Sequence, residues 1–308
     1  MKVCFIGFGS IAGRHIRNIK AMYGEKVQID LFRSRQKEQD TDRLGDMIHE
    51  IYYDRDRLPC DYDVMFITNP TRLHYSTLME FHCYGRHFFI EKPVFETGRE
   101  DIKRLGLRPE SVYYVACPLR YTNVIQYLRK NIDFSEIYSI RCISSSYLPD
   151  WRPGTDYRDS YSARKELGGG VSIDLIHEWD YLCYLLGEPE RVKSMIARKS
   201  DLEIDSDDIA VYVAEYRDKL VELHLDYFGR VPVRKLELLG RREVIEADLI
   251  HERIRYRKSG STVELAEERD AYQKRELEYF FRMIRQGTAN PNSISRACRT
   301  LQIARGEW

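Results

Sequence analysis

Three glycines near the start of the chain form the pattern G-x-G-x-x-x-G, a variant of the phosphate-binding pattern G-x-G-x-x-G in which the third glycine comes one residue later. Gly7, Gly9 and Gly13 follow the β-rich run KVCFIG and open a segment with helical apolar spacing that ends at Gly24. Between a strand and a helix, such glycines allow a tight turn, close approach of the backbone to a pyrophosphate, and tight packing of helix on strand. The helix N-terminus adds free N–H groups from its first residues, among them Ser10 and Ile11. The pattern predicts a dinucleotide site; a glycine-rich turn without a ligand is the alternative.

The end of the second predicted strand, VQIDLFRSRQ, indicates which dinucleotide the site prefers. The residue that meets the adenosine ribose lies about 20 residues beyond the glycines, which here is Arg33. An acid at this position would bind the ribose hydroxyls of NAD, whereas Arg33, Ser34 and Arg35 offer cations and a hydroxyl to a 2′-phosphate. The sequence therefore favours NADP over NAD, which remains possible, unless this segment is simply a solvated basic turn.

Two further strands should end at the same edge of the sheet as the glycine turn. YDVMFITNP ends in the turn Thr68, Asn69 and Pro70, and HFFIEKPVFE ends in Glu91 and Lys92. Open α/β sheets bind ligands at the carboxyl ends of their strands. We therefore expect Lys92 to point into the cofactor crevice, beside the nicotinamide.

Four motifs, in this order, resemble those of the glucose-fructose oxidoreductase, inositol dehydrogenase and rhizopine-catabolism (Gfo/Idh/MocA) family. They are GFGSIAGRH at the start, ITNPTRLH, EKP at 91–93, and GGGVSIDLIHEWDYLCYLLG at 168–187. The resemblance implies an NAD(P)-dependent oxidoreductase that transfers a hydride between nicotinamide and a secondary alcohol or ketone of a sugar. It also places His15 and His74 near the cofactor as capping or packing groups.

The resemblance assigns the catalytic roles to Lys92, Asp174 and His177. An imidazole titrates near neutral pH and can take the hydroxyl proton, while a lysine can stabilise the developing alkoxide. The family usually places the acid four residues before the histidine, but Asp174 precedes His177 by three. On one helix, residues 174, 177 and 180 would share a face.

A loop-like segment before the three glycines should choose the substrate. LPDWRPGTDYRDSYSARKELGGG is rich in proline, glycine and charge, and loops of this length are usually functional or disordered. Its rings and guanidinium groups suit sugar faces and anionic substituents. We expect substrate contacts from this segment and from CPLRY at 117–121, at Arg120, Tyr121, Trp151, Arg152, Tyr157 and Arg158. Salt bridges to neighbouring aspartates are the alternative role for these arginines.

The fold class follows from a change of pattern near residue 118. Strand–helix alternation before it predicts a doubly wound parallel sheet, a Rossmann domain over residues 1–118. Alternating strands after it predict an α+β domain over 119–308 whose large, mostly antiparallel sheet has one open face. In the family that face makes subunit contacts, which implies a homo-oligomer, a dimer or a tetramer.

Bulk composition excludes several classes of protein. Lys+Arg and Asp+Glu both number 49, so no overall field attracts nucleic acid or an anionic membrane. No apolar run approaches the roughly 20 residues that span a bilayer, and no secretion signal is recognisable. Seven scattered cysteines suit a reduced cytoplasm, and the histidines lack metal-ligand spacing, so we expect no metal.

Two other functions remain open at this stage. The segments WRPGTDYR and HEWDYL resemble a branch of the family associated with bacterial surface-sugar biosynthesis, which favours an amino, acidic or nucleotide-linked sugar. A redox-assisted glycoside hydrolase with a retained cofactor is one alternative. A non-catalytic sensor that binds a dinucleotide is another, although it would have no need of Lys92 and His177.

Overall fold

A computed structural model describes residues 1–34 and 45–308, and these residues form two compact units. The first unit contains residues 1–116 and 274–298, and the second contains residues 117–273 and 299–308. Arg35 lies outside the described residues.

The first unit is built on a six-stranded parallel sheet. Its strands are β1 (Lys2–Ile6), β2 (Gln28–Phe32), β3 (Glu50–Tyr52), β4 (Tyr62–Ile67), β5 (Gly85–Ile90) and β6 (Tyr113–Val115). Their order is β3-β2-β1-β4-β5-β6, and every neighbouring pair is parallel. Helices α1 (Ser10–Tyr23) and α2 (His74–Phe81) follow β1 and β4. This is the doubly wound dinucleotide-binding order, and it confirms the predicted Rossmann fold.

The strand order brings the ligand-binding loops to one place. β1 and β4 are neighbours, but the chain leaves them in opposite directions along the sheet, so the loops after them border a crevice at the carboxyl edge. Both strands are hydrophobic runs because a parallel sheet is covered on both faces. Phe5, Phe66 and Phe89 stack across adjacent strands, with ring centroids 4.5 and 4.9 Å apart.

A segment near the C-terminus completes the first unit, which differs from the expected division at residue 118. Helix α6 (Ala271–Gln286) has one apolar face, and Phe280 on that face lies 5.3 Å from Phe89 and 5.6 Å from Tyr114 between ring centroids. The Tyr114 hydroxyl donates to Glu276 at 3.1 Å. Residues 274–298 therefore belong with the first sheet because their apolar face is buried there.

The second unit is built on an eight-stranded sheet. Its strands are β7 (Ile137–Tyr147), β8 (Arg191–Ala197), β9 (Ile209–Tyr216), β10 (Lys219–Asp226), β11 (Phe228–Gly240), β12 (Val244–Asp248), β13 (Arg253–Tyr256) and β14 (Thr262–Glu264). The order is β14-β13-β12-β11-β7-β10-β9-β8, and all pairs are antiparallel except β7 with β10. A tight hairpin joins β9 to β10.

Helices cover one face of this sheet and leave the other open, as predicted. The helices of this part of the chain are α3 (Asn123–Asn131), α4 (Val171–Asp174), α5 (Ile176–Leu186) and α7 (Ile294–Ala304). Trp179 of α5 packs edge-on against Tyr212 of β9 at 5.3 Å, and Tyr181 lies 3.1 Å from the Cys142 sulfur of β7. On the opposite face, Met195 is 79% exposed. The two faces follow the alternation of side chains along each strand.

Two sequence-based expectations concern the whole chain. Among residues 1–34 and 45–308, no helix combines the length and the apolar character needed to cross a bilayer. All seven cysteines are free thiols.

Candidate active site

The turn after β1 has a backbone that only glycine can adopt without strain. Gly7 has a φ of 88°, and a Cβ added there would lie 2.7 Å from the Cα of Asn69. Its N–H donates to the Phe32 carbonyl at 3.0 Å, which ties the turn to the end of β2. The loops after β1 and β4 therefore touch, as a tight turn in this position requires.

Gly9 leaves the N-terminus of α1 open. It is the residue before the helix, it has no side chain to cap the first N–H groups, and residues 10–13 include no acid. A Cβ added at Gly9 would meet no described atom within 4 Å. Ser10 is exposed and Ile11 half-buried. The first turn of α1 thus presents donors and positive dipole to open space, which fits a phosphate group.

Gly13 does not have the role expected of it. A Cβ at this position would make ordinary contacts, 3.5 Å from Arg17 and 4.0 Å from Phe8. The helix does not approach the strand so closely here that a side chain is excluded, so tight helix–strand packing does not explain this glycine.

The end of β2 places a cation beside the glycine turn. Arg33 is 9% exposed, and its guanidinium carbon lies 5.8 Å from the centre of the Phe8 ring. Its backbone N–H donates to Tyr52 at 2.9 Å, while Ser34 is exposed. The predicted partner Arg35 cannot be added to this group because it lies outside the described residues.

The loop after β4 shapes the crevice with its polar side chains. The Thr68 hydroxyl lies within hydrogen-bonding distance of the Gly7 and Ile6 carbonyls, at 2.9 and 3.1 Å. The Asn69 amide donates to Thr77 at 2.7 Å, and its Oδ1 is buried without a hydrogen bond to any described residue. Pro70 is exposed. An unsatisfied buried oxygen beside the glycine turn is consistent with a ligand that completes this site.

The resemblance implied that His74 is a capping or packing group near the cofactor, and the structure places its ring inside the loop after β4. It is 1% exposed, and its Nε2 faces the Asn69 carbonyl at 2.9 Å. Its Nδ1 faces the carbonyls of Pro93 and Val94, each at 3.1 Å. The ring therefore joins the loops after β4 and β5, and it positions them instead of contacting a ligand.

Glu91 and Lys92 follow β5 at the same edge. The Glu91 carboxylate lies 2.6 Å from His15 Nε2, so it is tied to α1. Burial acts to raise the pKa of Glu91, but the hydrogen bond from His15 and the charges of His15 and Lys92 outweigh burial and hold that pKa below its ordinary 4.5. Lys92 is half-buried, and its peptide bond to Pro93 is cis.

In the second unit, two of the three glycines before α4, Gly169 and Gly170, permit close packing. A Cβ on Gly169 would lie 2.1 Å from the Tyr161 carbonyl, and one on Gly170, whose φ is 131°, would lie 2.2 Å from Asp207 Oδ1. The N-terminus of α4 is capped by Asp207, which accepts from the N–H groups of Val171 and Ser172, each at 2.9 Å. This anchors the segment that carries Asp174.

The helix carrying the predicted catalytic pair is broken between its two members. α4 ends at Asp174, Leu175 has φ −93° and ψ 27°, and α5 begins at Ile176. The expectation that Asp174 lies on one continuous helix with His177 and Asp180 is therefore wrong, whereas His177 and Asp180 both lie on α5, three residues apart. His177 is half-buried, whereas Asp174 is 5% exposed.

Two tyrosine hydroxyls donate to Asp174. Tyr227, which is fully buried at the junction of β10 and β11, donates to Oδ2 at 2.5 Å, and Tyr161 donates to Oδ1. Burial, followed by the charge of Asp174, raises the pKa of both tyrosines well above 10, so both remain donors. The sequence did not indicate Tyr227, because a tyrosine at a strand end is most often a core residue.

The carboxylates after Asp174 are also paired. Arg120, predicted to bind substrate, is 3% exposed and donates through Nε and Nη2 to Asp180, both at 2.7 Å. This bidentate buried pair holds the Arg120 guanidinium, and its partner Asp180 is not one of the neighbouring aspartates of the loop-like segment. Glu178 is also buried, and it accepts from Arg234 Nε at 2.7 Å. Tyr121 is half-buried.

The predicted substrate segment is ordered by its own contacts. Trp151 donates to the Ser146 hydroxyl at 2.9 Å and packs edge-on against Tyr227 at 5.2 Å. Arg158 is exposed and binds Asp156 and Glu203 at 2.6 and 3.0 Å. The salt-bridge alternative therefore describes Arg158, whose partner Asp156 is a neighbouring aspartate.

Two predicted residues of this segment differ in what they contact. The Tyr157 hydroxyl accepts from the Glu203 N–H at 3.2 Å. The Arg152 guanidinium lies 5.8 Å from the centre of the Tyr161 ring. Among the residues that the structure covers, no group of three or more His, Cys, Asp or Glu side chains could hold a metal ion.

Known structures with the same architecture include two sugar dehydrogenases. A levoglucosan dehydrogenase in complex with NADH aligns with a TM-score of 0.84 at 18% identity, over 99% of this chain and 95% of that one. The UDP-N-acetylglucosamine 3-dehydrogenase of Acidithiobacillus ferrooxidans aligns with a TM-score of 0.80 at 19% identity, over 100% and 96%. At these identities the likeness shows a shared fold.

Sequence comparison identifies the family. The D-xylose dehydrogenase of Paenarthrobacter nicotinovorans is 32% identical over 141 residues, which is 44% of this chain and 36% of that protein, so the match spans about a third of this relative. Residues 1–107 match the oxidoreductase family with an NAD-binding Rossmann fold, and residues 125–246 match the GFO/IDH/MocA C-terminal domain. The chain belongs to the Gfo/Idh/MocA family of oxidoreductases.

Proposed function

We propose that this protein is an NAD(P)-dependent dehydrogenase or reductase that acts on a secondary alcohol or ketone of a sugar or sugar derivative. One observation carries the proposal. At the carboxyl edge of the first sheet, the open N-terminus of α1 after β1 faces space that a Cβ at Gly9 would enter, and Lys92 follows β5, which is separated from β1 by β4, at the same edge. This edge therefore combines an anion-binding helix end with a cation suited to an alkoxide.

The cofactor would be held by the glycine turn and the loops beside it. Gly7, Gly9, Ser10 and Ile11 would surround the pyrophosphate, and Thr68, Asn69 and Pro70 would border the nicotinamide half. Arg33 lies beside Phe8 and favours NADP over NAD, because its guanidinium can pair with the 2′-phosphate that NADP carries and NAD lacks. The nicotinamide, once bound, supplies the hydride acceptor or donor.

Lys92 and His177 have separate roles in the proposed reaction. The Lys92 ammonium would hydrogen-bond the reacting oxygen and stabilise the negative charge that develops on it. The His177 imidazole would take the hydroxyl proton in the oxidative direction and return it in the reductive direction. Lys92 belongs to the first unit and His177 to the second.

The substrate proposal comes from the relatives and from the segment before α4. The three similar proteins named above act, by their names, on D-xylose, levoglucosan and a nucleotide-linked amino sugar. Tyr121, Trp151, Arg152 and Tyr157 are proposed to contact such a sugar. Arg152 is the proposed ligand of an anionic substituent, because Arg120 and Arg158 are already paired with carboxylates.

The open face of the second sheet is proposed to join copies of the chain in the cytoplasm. Exposed apolar side chains on neighbouring strands of this face include Met195, Val213 and Leu220, which are 79%, 46% and 50% exposed. Exposed apolar side chains on neighbouring strands are typical of a protein interface. Light scattering of the purified protein would show a dimer or tetramer.

Turnover in matched variants tests the function. Wild type, Lys92→Met and His177→Asn would be incubated with NADP and with D-xylose, levoglucosan or UDP-N-acetylglucosamine, and reduced nicotinamide would be followed by absorbance. We expect turnover of at least one sugar by wild type, and a loss of roughly 100-fold or more in each variant with NADPH affinity unchanged. Equal turnover in wild type and both variants would contradict the assigned roles.

A further inference from the structure

We propose that Tyr161 is the residue on which the sugar ring stacks, and that Asp174, itself fixed by Tyr227, holds Tyr161 in position. This inference rests on the proposed function and names a binding residue for its sugar. It gives Asp174 a positioning role in place of direct contact with the substrate.

The Asp174 carboxylate is held in place by two phenol groups. Asp174 is 5% exposed, and each of its oxygens accepts one phenol: Oδ2 from Tyr227 at 2.5 Å and Oδ1 from Tyr161. Tyr227 is fully buried and has Trp151 packed edge-on against its ring. A buried carboxylate needs such donors, and these two fix its orientation.

Tyr161 is exposed, although its hydroxyl is bound to a buried group. Tyr161 is 40% exposed although its hydroxyl is bound to the buried Asp174, so its open part is the ring. Its backbone is held too, because the Tyr161 carbonyl packs against Gly169 so closely that a Cβ there would lie 2.1 Å away. A ring fixed at both ends loses little conformational entropy on binding, and an aromatic face suits the C–H face of a sugar.

A positively charged guanidinium group lies near the Tyr161 ring. The Arg152 guanidinium lies 5.8 Å from the ring centre, near the outer limit of a cation–π contact. It therefore borders the ring and leaves much of it open. A sugar stacked on Tyr161 would have a donor group beside it for a hydroxyl, carboxylate or phosphate oxygen.

The broken helix accounts for the unusual spacing in this chain. Asp174 ends α4 and His177 lies in α5, with Leu175 outside both helices. Asp174, at the end of α4, accepts hydrogen bonds from two tyrosines. Asp174 thus acts through Tyr161.

A sugar-binding experiment tests the proposal. With NADP bound, saturation-transfer NMR would measure contact between the protein and the ring protons of D-xylose, levoglucosan and UDP-N-acetylglucosamine. We expect Tyr161→Ala to weaken binding of the sugar that wild type prefers by roughly 2- to 10-fold, with NADPH affinity unchanged. Tyr138→Ala is the matched control, because Tyr138 is another exposed tyrosine, 55% exposed, on β7.

A double-mutant cycle tests the positioning role of Asp174. In the wild-type background, Asp174→Asn should raise the KM for sugar by a factor similar to that of Tyr161→Ala. In the Tyr161→Ala background, the same substitution should change KM by less than about twofold. In both backgrounds kcat should be little affected. Tyr227→Phe should reproduce part of the effect. A fall in kcat on Asp174→Asn that is equal in both backgrounds would show direct contact with the substrate and overturn the positioning role.

The outcomes separate this inference from the proposed function. Unchanged sugar binding in Tyr161→Ala, with turnover intact in wild type, would overturn the stacking role alone. Absence of both saturation transfer and turnover with all three sugars in wild type would contradict the proposed substrate class as well as the stacking role.

Discussion

The two units build their candidate sites from different materials. In the first, the parts that would face a cofactor are mainly backbone: the Gly7 turn and the open N-terminus of α1. In the second, charged side chains around His177 are held by other side chains: Asp174 by two tyrosines, Asp180 by Arg120, and Glu178 by Arg234. A backbone-built site depends on local sequence, whereas a side-chain-built site depends on partners far along the chain.

The largest expected effect comes from breaking a side-chain pair in the second unit. Arg120→Ala would leave the Asp180 carboxylate buried without its bidentate partner, so we expect the free energy of unfolding to fall by about 3–5 kcal/mol. Chemical denaturation measures this change. Arg129→Ala is the control, because Arg129 is exposed and lies over the same Tyr184 ring as Arg120. Equal loss in both variants would show that ring contact, and not the ion pair, stabilises this region.

The backbone-built site should respond to added carbons according to the space available. Gly7→Ala would force a φ of 88° on alanine and a clash with Asn69, so we expect a loss of about 1–3 kcal/mol in stability. Gly9→Ala should leave stability nearly unchanged and weaken NADPH binding by roughly 10-fold or more, since its Cβ would fill the phosphate space. Unchanged NADPH affinity in Gly9→Ala would place the cofactor elsewhere.

A smaller effect should appear on acidification. Because the pKa of Glu91 is lowered in the folded state, its contribution to stability is complete above its ordinary value of 4.5 and is lost as the pH falls through the lowered pKa. Glu91→Gln removes this pH-dependent contribution to stability. Wild type should therefore lose more stability than Glu91→Gln as the pH falls below 4.5. Parallel melting-temperature curves in the two proteins would contradict the His15–Glu91 interaction.

The smallest effect is expected at the surface of the second unit. Arg158 binds Asp156 and Glu203, but all three side chains are exposed, so water and salt screen their attraction. We expect Arg158→Ala to leave the melting temperature and the KM for sugar unchanged. A raised KM would restore Arg158 as a substrate residue and show that its surface ion pairs open on binding.

The sequence predicted most of what local pattern determines. The strand–turn–helix at Gly7 and Gly9, the parallel sheet and the open-faced second sheet follow from glycine positions and apolar periodicity. The partner of α6 could not be predicted, because an amphipathic helix does not specify which sheet covers its apolar face.

The side-chain contacts in the second unit could not be predicted from the sequence either. Tyr227 and Asp174 are 53 residues apart, and Arg120 and Asp180 are 60 apart. No pattern in the intervening sequence predicts these contacts. The helix break at Leu175 also has no local signal, since neither glycine nor proline lies within residues 171–186.

Binding of the cofactor to the backbone-built site tests the central claim most directly. Nicotinamide fluorescence would be titrated with NADPH and NADH for wild type and Arg33→Ala. The account predicts saturable binding of NADPH, weakened by roughly 10- to 100-fold in Arg33→Ala, with NADH binding little changed by the substitution. Failure of wild type to bind either dinucleotide would contradict the account, and equal weakening of both would remove Arg33 as the residue that selects NADP.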